Sequence, residues 1–274
     1  MNVIDLQAAS REESERLWPA VKAAHLFRDR DAFLAARDRA PWRIRVDARE
    51  RAAVLERWRP HLDIMAIRGL WAPARDVEAV VRGLAGVTRS QGLRSLLSPL
   101  IAEDTAGPYL RAGLHPHASI VAMRIDSREA LRACAPLPEG LRVRRAGVAD
   151  CGAIAAVDSA CFEPFWAYDR ERLDVAVRTD RVTVAESSAG IIGYTLSTIE
   201  RGSGTLGRLG VLPRERGHGV GAALLAESLC HMAQMGAGSI SLCTQEENAV
   251  SRSLYTRLGL RELPGRLLLL LGDV

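Results

Sequence analysis

The chain has 274 residues, 48% of them hydrophobic, with a mean hydropathy of −0.01, which is apolar material for two cores and long for one compact domain. Its 37 basic residues exceed its 33 acidic ones by only four, and no basic run is interleaved with aromatics, so the field is too weak to argue nucleic acid. The five cysteines are odd in number and form no C-x-x-C pair, arguing against a disulfide frame or zinc site, and the longest apolar run, Leu267 to Leu271, is far too short to cross a bilayer.

The segment Met1 to Ser10 lacks a basic region followed by an apolar run, so the expectation is a cytoplasmic protein with no membrane or metal partner. Along the first half, Val3–Leu6 reads as a short strand and Glu12–His25 and Arg30–Arg37 as helices. Trp42–Val46 is strand-like, and the apolar spacing of Arg49–Trp58 predicts a helix. Asp63–Leu70 follows as a strand, Pro73–Leu84 as a helix opened by proline, Leu93–Leu97 as a strand, Asp104–Leu110 as a short helix and Ile120–Ile125 as a strand. Proline and glycine at 136, 138 and 140 mark 133–140 as a linker between domains at 1–132 and 141–274.

The second half predicts a strand at Leu141–Arg145, a helix capped near Ala149–Asp150 and running to Phe162, and a second helix over Asp169–Arg178. Arg181–Glu186 and Gly190–Thr198 flank a Ser-Ser-Ala-Gly turn as a hairpin. A strand from Thr205 stops at Pro213, a long helix runs to Met235, and a strand at Ser239–Cys243, a helix at Ala249–Leu258 and a last strand at Leu267–Leu271 complete the order βααβββαβαβ.

Between the Thr205 strand and the long helix stand Arg216, Gly217, His218, Gly219, Val220 and Gly221. Three residues without Cβ atoms let backbone approach a ligand closely, and a helix that starts there leaves its first N–H groups unpaired and partly positive, a site suited to a diphosphate. The spacing is not the G-x-G-x-x-G of a dinucleotide fold, nor is the lysine of a nucleoside-triphosphate loop present. It resembles the R-x-x-G-x-G signature of the GCN5-related N-acetyltransferases (GNAT). Further on, Asn248-Ala249-Val250-Ser251-Arg252-Ser253-Leu254-Tyr255 with Gly259-Leu260 resembles that family's N-x-x-A/S-x-x-L-Y-x-x-x-G-F/L segment.

That resemblance implies an α/β (α+β) fold with a mixed, mostly antiparallel sheet flanked by helices, and acetyl-CoA as cofactor. It places the diphosphate on Arg216 to Gly221 and the pantetheine arm along Leu209, Gly210 and Val211. Asn248 serves as helix cap and arm ligand, and Tyr255, two turns on, as general acid; His218 is read as a phosphate contact rather than a base. Many relatives place a glutamate five positions before the asparagine, where this chain has Cys243. Deprotonating a lysine-type amine at pH 7 costs about 4 to 5 kcal/mol against about 1 for an α-amine, so a low-pKa amine is the easier acceptor. Glu163 and Glu200 are candidate bases or surface carboxylates. Phe165 and Trp166 form an aromatic wall to the acceptor pocket or close the core, and Arg208 meets an acidic acceptor or lies exposed.

In the first half, Tyr109-Leu110-Arg111-Ala112-Gly113-Leu114 echoes Tyr255-Thr256-Arg257-Leu258-Gly259-Leu260, and Leu96 precedes Tyr109 by the interval that separates Leu242 from Tyr255. No glycine-rich turn follows Leu70, so this half resembles a degenerate GNAT-like domain without cofactor, in a tandem arrangement resembling mycothiol synthase. The expected activity is acetyl transfer to a small-molecule amine or a peptide N-terminus, by a monomer or homodimer; a non-catalytic acyl-CoA sensor is the alternative.

Overall fold

The computed structural model describes residues 2–133 and 135–274, so Met1 and Cys134 lie outside the described residues. In chain order the first stretch gives β1 (Gln7–Ala8), α1 (Arg11–Ala23), α2 (Arg30–Arg39), β2 (Ile44–Val46), β3 (Ala52–Arg57), β4 (Ile64–Trp71), α3 (Val77–Ser90), β5 (Ser95–Leu97), β6 (Ile101–Ala102), α4 (Gly107–Arg111) and β7 (His115–Asp126). The rest gives α5 (Ser127–Ala130), β8 (Arg142–Arg145), α6 (Cys151–Cys161), α7 (Arg170–Thr179), β9 (Arg181–Ser187), β10 (Gly190–Glu200) and β11 (Ser203–Val211). It ends with α8 (Val220–Gln234), β12 (Ser239–Gln245), α9 (Ala249–Arg257), β13 (Arg261–Glu262) and β14 (Leu267–Asp273). With β6, α5 and β13 set aside, each half runs strand, two helices, three strands, helix, strand, helix, strand.

Local chemistry sets the helix starts. Ser10 and Glu13 form a reciprocal capping box on α1, Asp29 accepts from the Ala32 N–H at 2.8 Å on α2, and Asp169 accepts from the Arg172 N–H at 2.7 Å on α7. Asp150 acts one turn earlier than expected: its carboxylate accepts from the Gly147 N–H at 2.8 Å and from Arg144, which holds its pKa down at about 2. The predicted helix at Arg49–Trp58 is instead strand β3. Ala52, Ala53, Val54 and Leu55 are all buried, so both faces of the segment are covered, and helical spacing cannot be told from such a run. The first strand also lies later than Val3–Leu6, at Gln7–Ala8.

The chain forms two compact units that are not contiguous halves: Met1–Ser119 with Gly265–Val274, and Ile120–Pro264. The 133–140 segment therefore lies within the second unit rather than at a boundary. In the first unit the sheet runs β1-β2-β3-β4-β5-β14, with β4 and β5 parallel across α3 and the others antiparallel. In the second it runs from the Ile120–Asp126 part of β7 through β12-β11-β10-β9-β8, with β11 and β12 parallel across α8. Each half thus lends its last strand to the other unit. Met123 pairs with Leu242, and Gly272 with Leu96. Leu270, fully buried, belongs to the core of Leu55, Met65, Val80 and Leu96 in the first unit.

Deleting residues 266–274 is expected to strip amide-exchange protection from Ser95–Leu97 and Ile64–Trp71 while the β9–β10 hairpin stays protected. Loss confined to the hairpin would contradict this strand assignment.

Candidate functional site

The site begins with a parting of strands. β11 and β12 pair only from Ser203↔Ser239 to Leu206↔Leu242; beyond that, β11 continues along β10 and β12 along β7. A bulge opposite Leu196 and Ser197 leaves Gly207 as the extra residue of β11, and bulges bend and twist the strand that holds them. Past it, Leu209, Gly210 and Val211 keep β10 as a partner on one side only. Their other edge presents backbone polar groups without a strand partner, the template that an extended ligand arm can pair with.

The parted strands lead to the glycine turn. Gly217 and Gly219 sit at φ +83° and +81°, in the left-handed region where a Cβ is strained, and α8 opens at Val220 with no side-chain cap. The first helical bond runs from the Ala223 N–H to the Gly219 carbonyl, which leaves the preceding amides facing outward with the positive end of the helix dipole. His218 is exposed, and Arg216 folds back to donate to the Val211 carbonyl at 3.2 Å. Gly221 lies against Leu254: a Cβ there would meet the Leu254 Cδ2 at 3.4 Å, so this glycine serves the packing of α8 on α9.

Asn248 caps α9, its Oδ1 accepting from the Ser251 N–H at 3.2 Å. Tyr255 is 7% exposed and lies in the same buried cluster as Leu206 and Leu242, the last residues that β11 and β12 pair. Burial raises its pKa above the ordinary value of 10.0, opposed by a hydrogen bond with Ser251. It is a protonated phenol placed at the closed end of the strand opening.

Arg208 departs from both readings made of it: it neither lies exposed nor is available to an acidic acceptor. It is buried against Asp158, with Nε 2.8 Å and Nη2 3.0 Å from the two carboxylate oxygens. Nη2 also donates to the Trp166 carbonyl at 2.8 Å, and the guanidinium carbon stands 3.6 Å from the Phe162 ring centre and 4.0 Å from that of Tyr168. The Tyr194 hydroxyl donates to Asp158 as well, and the Tyr168 N–H reaches it at 2.7 Å. Burial works against the arginine's charge, and the oxygens of Tyr194 and Asp158 outweigh it, leaving the pKa raised. This network ties α6, β10 and β11 to the loop at 162–169. Sequence reasoning missed Asp158; its signal was a carboxylate among Ile154, Val157 and Cys161, on the apolar stripe of α6.

The loop that Arg208 holds contains the other expected acceptor residues. Phe165 and Trp166 are half-buried and meet edge to face, ring centres 4.8 Å apart. Glu163 is exposed, and its carbonyl closes the turn by accepting from Trp166 and Ala167. Gly210 lies beside Cys161 and two rings, where an added Cβ would stand 3.2 Å from the Tyr194 ring and 3.3 Å from that of Phe162, closer than side chains ordinarily approach.

The first unit repeats the frame with a different filling. β4 and β5 pair only as far as Ala66↔Leu97, and a bulge between Val54 and Leu55 in the pairing with β3 leaves Arg68 as the extra residue of β4. The turn into α3 spans only 72–76 against 212–219 before α8, and no glycine stands in it. The Trp71 ring covers Gly69, where an added Cβ would lie 2.6 Å from it, and Asp76 puts a carboxylate at the helix start, bonded by Arg51 at 3.1 Å. A negative charge there opposes a phosphate. Tyr109 is 7% exposed with its pKa raised by burial, as Tyr255 is.

These geometries can be set beside those of known proteins. Residues 153–260 match the acetyltransferase (GNAT) family model. No curated protein matches the sequence. Among solved structures, the GCN5-related N-acetyltransferase from Sphaerobacter thermophilus is similar over 99% of this chain and 97% of its own, at 20% identity and a TM-score of 0.65. A tandem GNAT protein from the clavulanic acid biosynthesis pathway covers 98% and 97%, at 15% identity and a TM-score of 0.69. The likeness is one of fold and includes the tandem arrangement.

Removing the Asp158 carboxylate (Asp158→Ala) strands a buried guanidinium and is expected to destabilise the second unit by about 3 to 5 kcal/mol. Urea unfolding should show the loss. Asp158→Ala combined with Arg208→Met should recover part of it, and an equal or greater loss in the double variant would remove the pairing argument.

Proposed function

We propose that the second unit transfers an acetyl group from acetyl-CoA to a primary amine, a small molecule or a peptide N-terminus, by direct attack in a ternary complex. The reading rests on one observation: β11 leaves β12 after Leu206, and its free edge runs into an uncapped, glycine-lined helix start. Bound acetyl-CoA would supply the activated acyl group. Amides from Gly217 to Gly221, with Arg216 and His218, would hold its diphosphate; the edge of Leu209, Gly210 and Val211 would pair with its arm, assisted by Asn248; and Tyr255 would give a proton to the departing sulfur.

Cys243 stands at the position of the family's glutamate, Glu163 is exposed on its turn, and Glu200 is exposed opposite Ser203, away from the strand opening, so on this reading the amine arrives largely unprotonated. A weakly basic α-amine meets that condition with the smallest cost. The first unit would act without cofactor, its turn closed by Trp71 and Asp76. Free thiols at Cys151, Cys161, Cys230 and Cys243 suit a reducing cytoplasm.

Calorimetric titration with acetyl-CoA should give saturable binding to the wild type, weakened about tenfold or more in Gly219→Val, where a branched side chain meets both the left-handed φ and Pro138. No heat at millimolar cofactor would end the reading.

Tyr255→Phe should lower turnover more than cofactor affinity. A phenol whose pKa is raised keeps its proton through neutrality and yields it only above 10.0, so the rate should rise as the amine deprotonates and show no falling limb below pH 10. An unchanged turnover in the variant, or a falling limb near pH 8 that it abolishes, would remove this role or this environment.

A further inference from the structure

On the face of the second unit's sheet opposite α8 and α9, α6 packs on β10 and on β11 at Arg208 and Gly210. Nearer the closed end of the strand opening, Thr205 and Arg124 are exposed on that face. Thr205 pairs with Ser241 and Ser241 with Arg124, so these three stand in one row across β11, β12 and β7, about 5 Å from strand to strand. Their neighbours Leu206, Leu242 and Met123 point the other way, into the buried cluster with Tyr255. The row therefore borders the last paired residues of the opening, on the face toward Arg208 and Gly210. Thr205 and Arg124 are exposed and Ser241 half-buried; one step along, Cys243 pairs with Ala122, so the floor around the arginine is made of small side chains.

Arg124 differs in kind from the arginines around it. Arg208 is neutralised by Asp158, and Arg261, directly opposite Arg124 on β13, is bound to Glu129. Among the described residues the Arg124 side chain has no hydrogen bond or ion pair. Glu129 is engaged by Arg261, and the carboxylates of the next row, Asp126 and Glu200, stand with Ser239 and Ser203 about 7 Å further from the opening. They bound an anion position on that side without occupying it.

The geometry points to Arg124 as the specificity residue of the acceptor site, binding a carboxylate or phosphate carried by the acceptor amine. This rests on the acetyltransferase reading and names its substrate class. The guanidinium fork offers two parallel donors to either anion, and the small side chains of Ala122, Ser241, Cys243 and Thr205 leave room for the body of the substrate between that anchor and the strand opening. A neutral acceptor would leave the fork facing water and gain nothing from it.

The test uses the full chain and small amines in matched sets that differ in one group: a carboxylate, a phosphate monoester or a carboxamide. Release of coenzyme A thiol should show kcat/KM about tenfold or more higher for one of the anionic amines than for its carboxamide partner, the size expected of a charge-assisted pair. The two anionic arms tell a carboxylate site from a phosphate site. In Arg124→Gln the preference should collapse toward unity while calorimetric affinity for acetyl-CoA is unchanged, and Arg124→Lys should keep part of it. Acetylation of all three amines at equal efficiency, or a preference that survives in Arg124→Gln, overturns the proposal and leaves the acetyltransferase reading intact. If no amine is turned over, that reading fails. Titration of the coenzyme A-loaded protein with the same amines, followed by amide chemical shifts, then decides the anion site: shifts at 122–126 and 241–243 for the anionic amines alone support it, and their absence ends it.

Discussion

One strand cannot keep two neighbours and also admit a ligand between them. β11 resolves this by giving up β12 after Leu206 and keeping β10 to Val211. Unpaired backbone groups in a half-buried place cost free energy unless something satisfies them, so the opening is tolerable only if it is narrow, solvated or filled. The bulge at Gly207 starts the divergence, and Arg208 holds the strand to the other layer immediately afterwards. Its buried ion pair need not exceed a well-packed apolar pair in stability. What it supplies is a single geometry, because bidentate bonds, the Trp166 carbonyl and two flanking rings leave the guanidinium no other place.

The two units show how little of the frame needs to change to alter what it can hold. At equivalent positions after the bulge the first unit has Gly69 then Trp71, the second Arg208 then Gly210. In the first unit Trp71 covers Gly69, whereas in the second Arg208 turns to Asp158 and Gly210 lies against Tyr194, Phe162 and Cys161. The choice decides whether strand backbone lies under an indole or beside a thiol and two rings. Three fewer residues in the following turn, and Asp76 in place of glycine, finish the difference.

What could be read in advance follows the range of the interactions involved. The start of α7 was legible because the Asp169 cap acts over three residues, while α3 starts at Val77, past the proline expected to open it; the glycine turn, Asn248 and Tyr255 were legible because their spacing is fixed along one segment. Strand partners were not. Leu267–Leu271 and Ile120–Ile125 read as strands, yet nothing local says that each completes the other unit's sheet. The run Ala52–Leu55 was mistaken for helix because burial on both faces erases the period that separates the two. Arg208 looked exposed because its partner, Asp158, is 50 residues away on α6.

The charges left on the open face bear on the chemistry as well as on recognition. Without a base at Cys243, the neutral fraction of the amine sets the concentration of nucleophile, and each pKa unit is worth about 1.4 kcal/mol of barrier. A guanidinium disfavours a second positive charge nearby, so a free Arg124 would lower the pKa of an ammonium group bound beside it, whereas Arg208, cancelled by Asp158, would have no such effect. An anion on the substrate restores the balance by neutralising Arg124, and the amine then enters with its own solution basicity. On the proposed reading, such a face would favour acceptors whose amine is already weakly basic, in keeping with the cysteine at the position of the family's carboxylate.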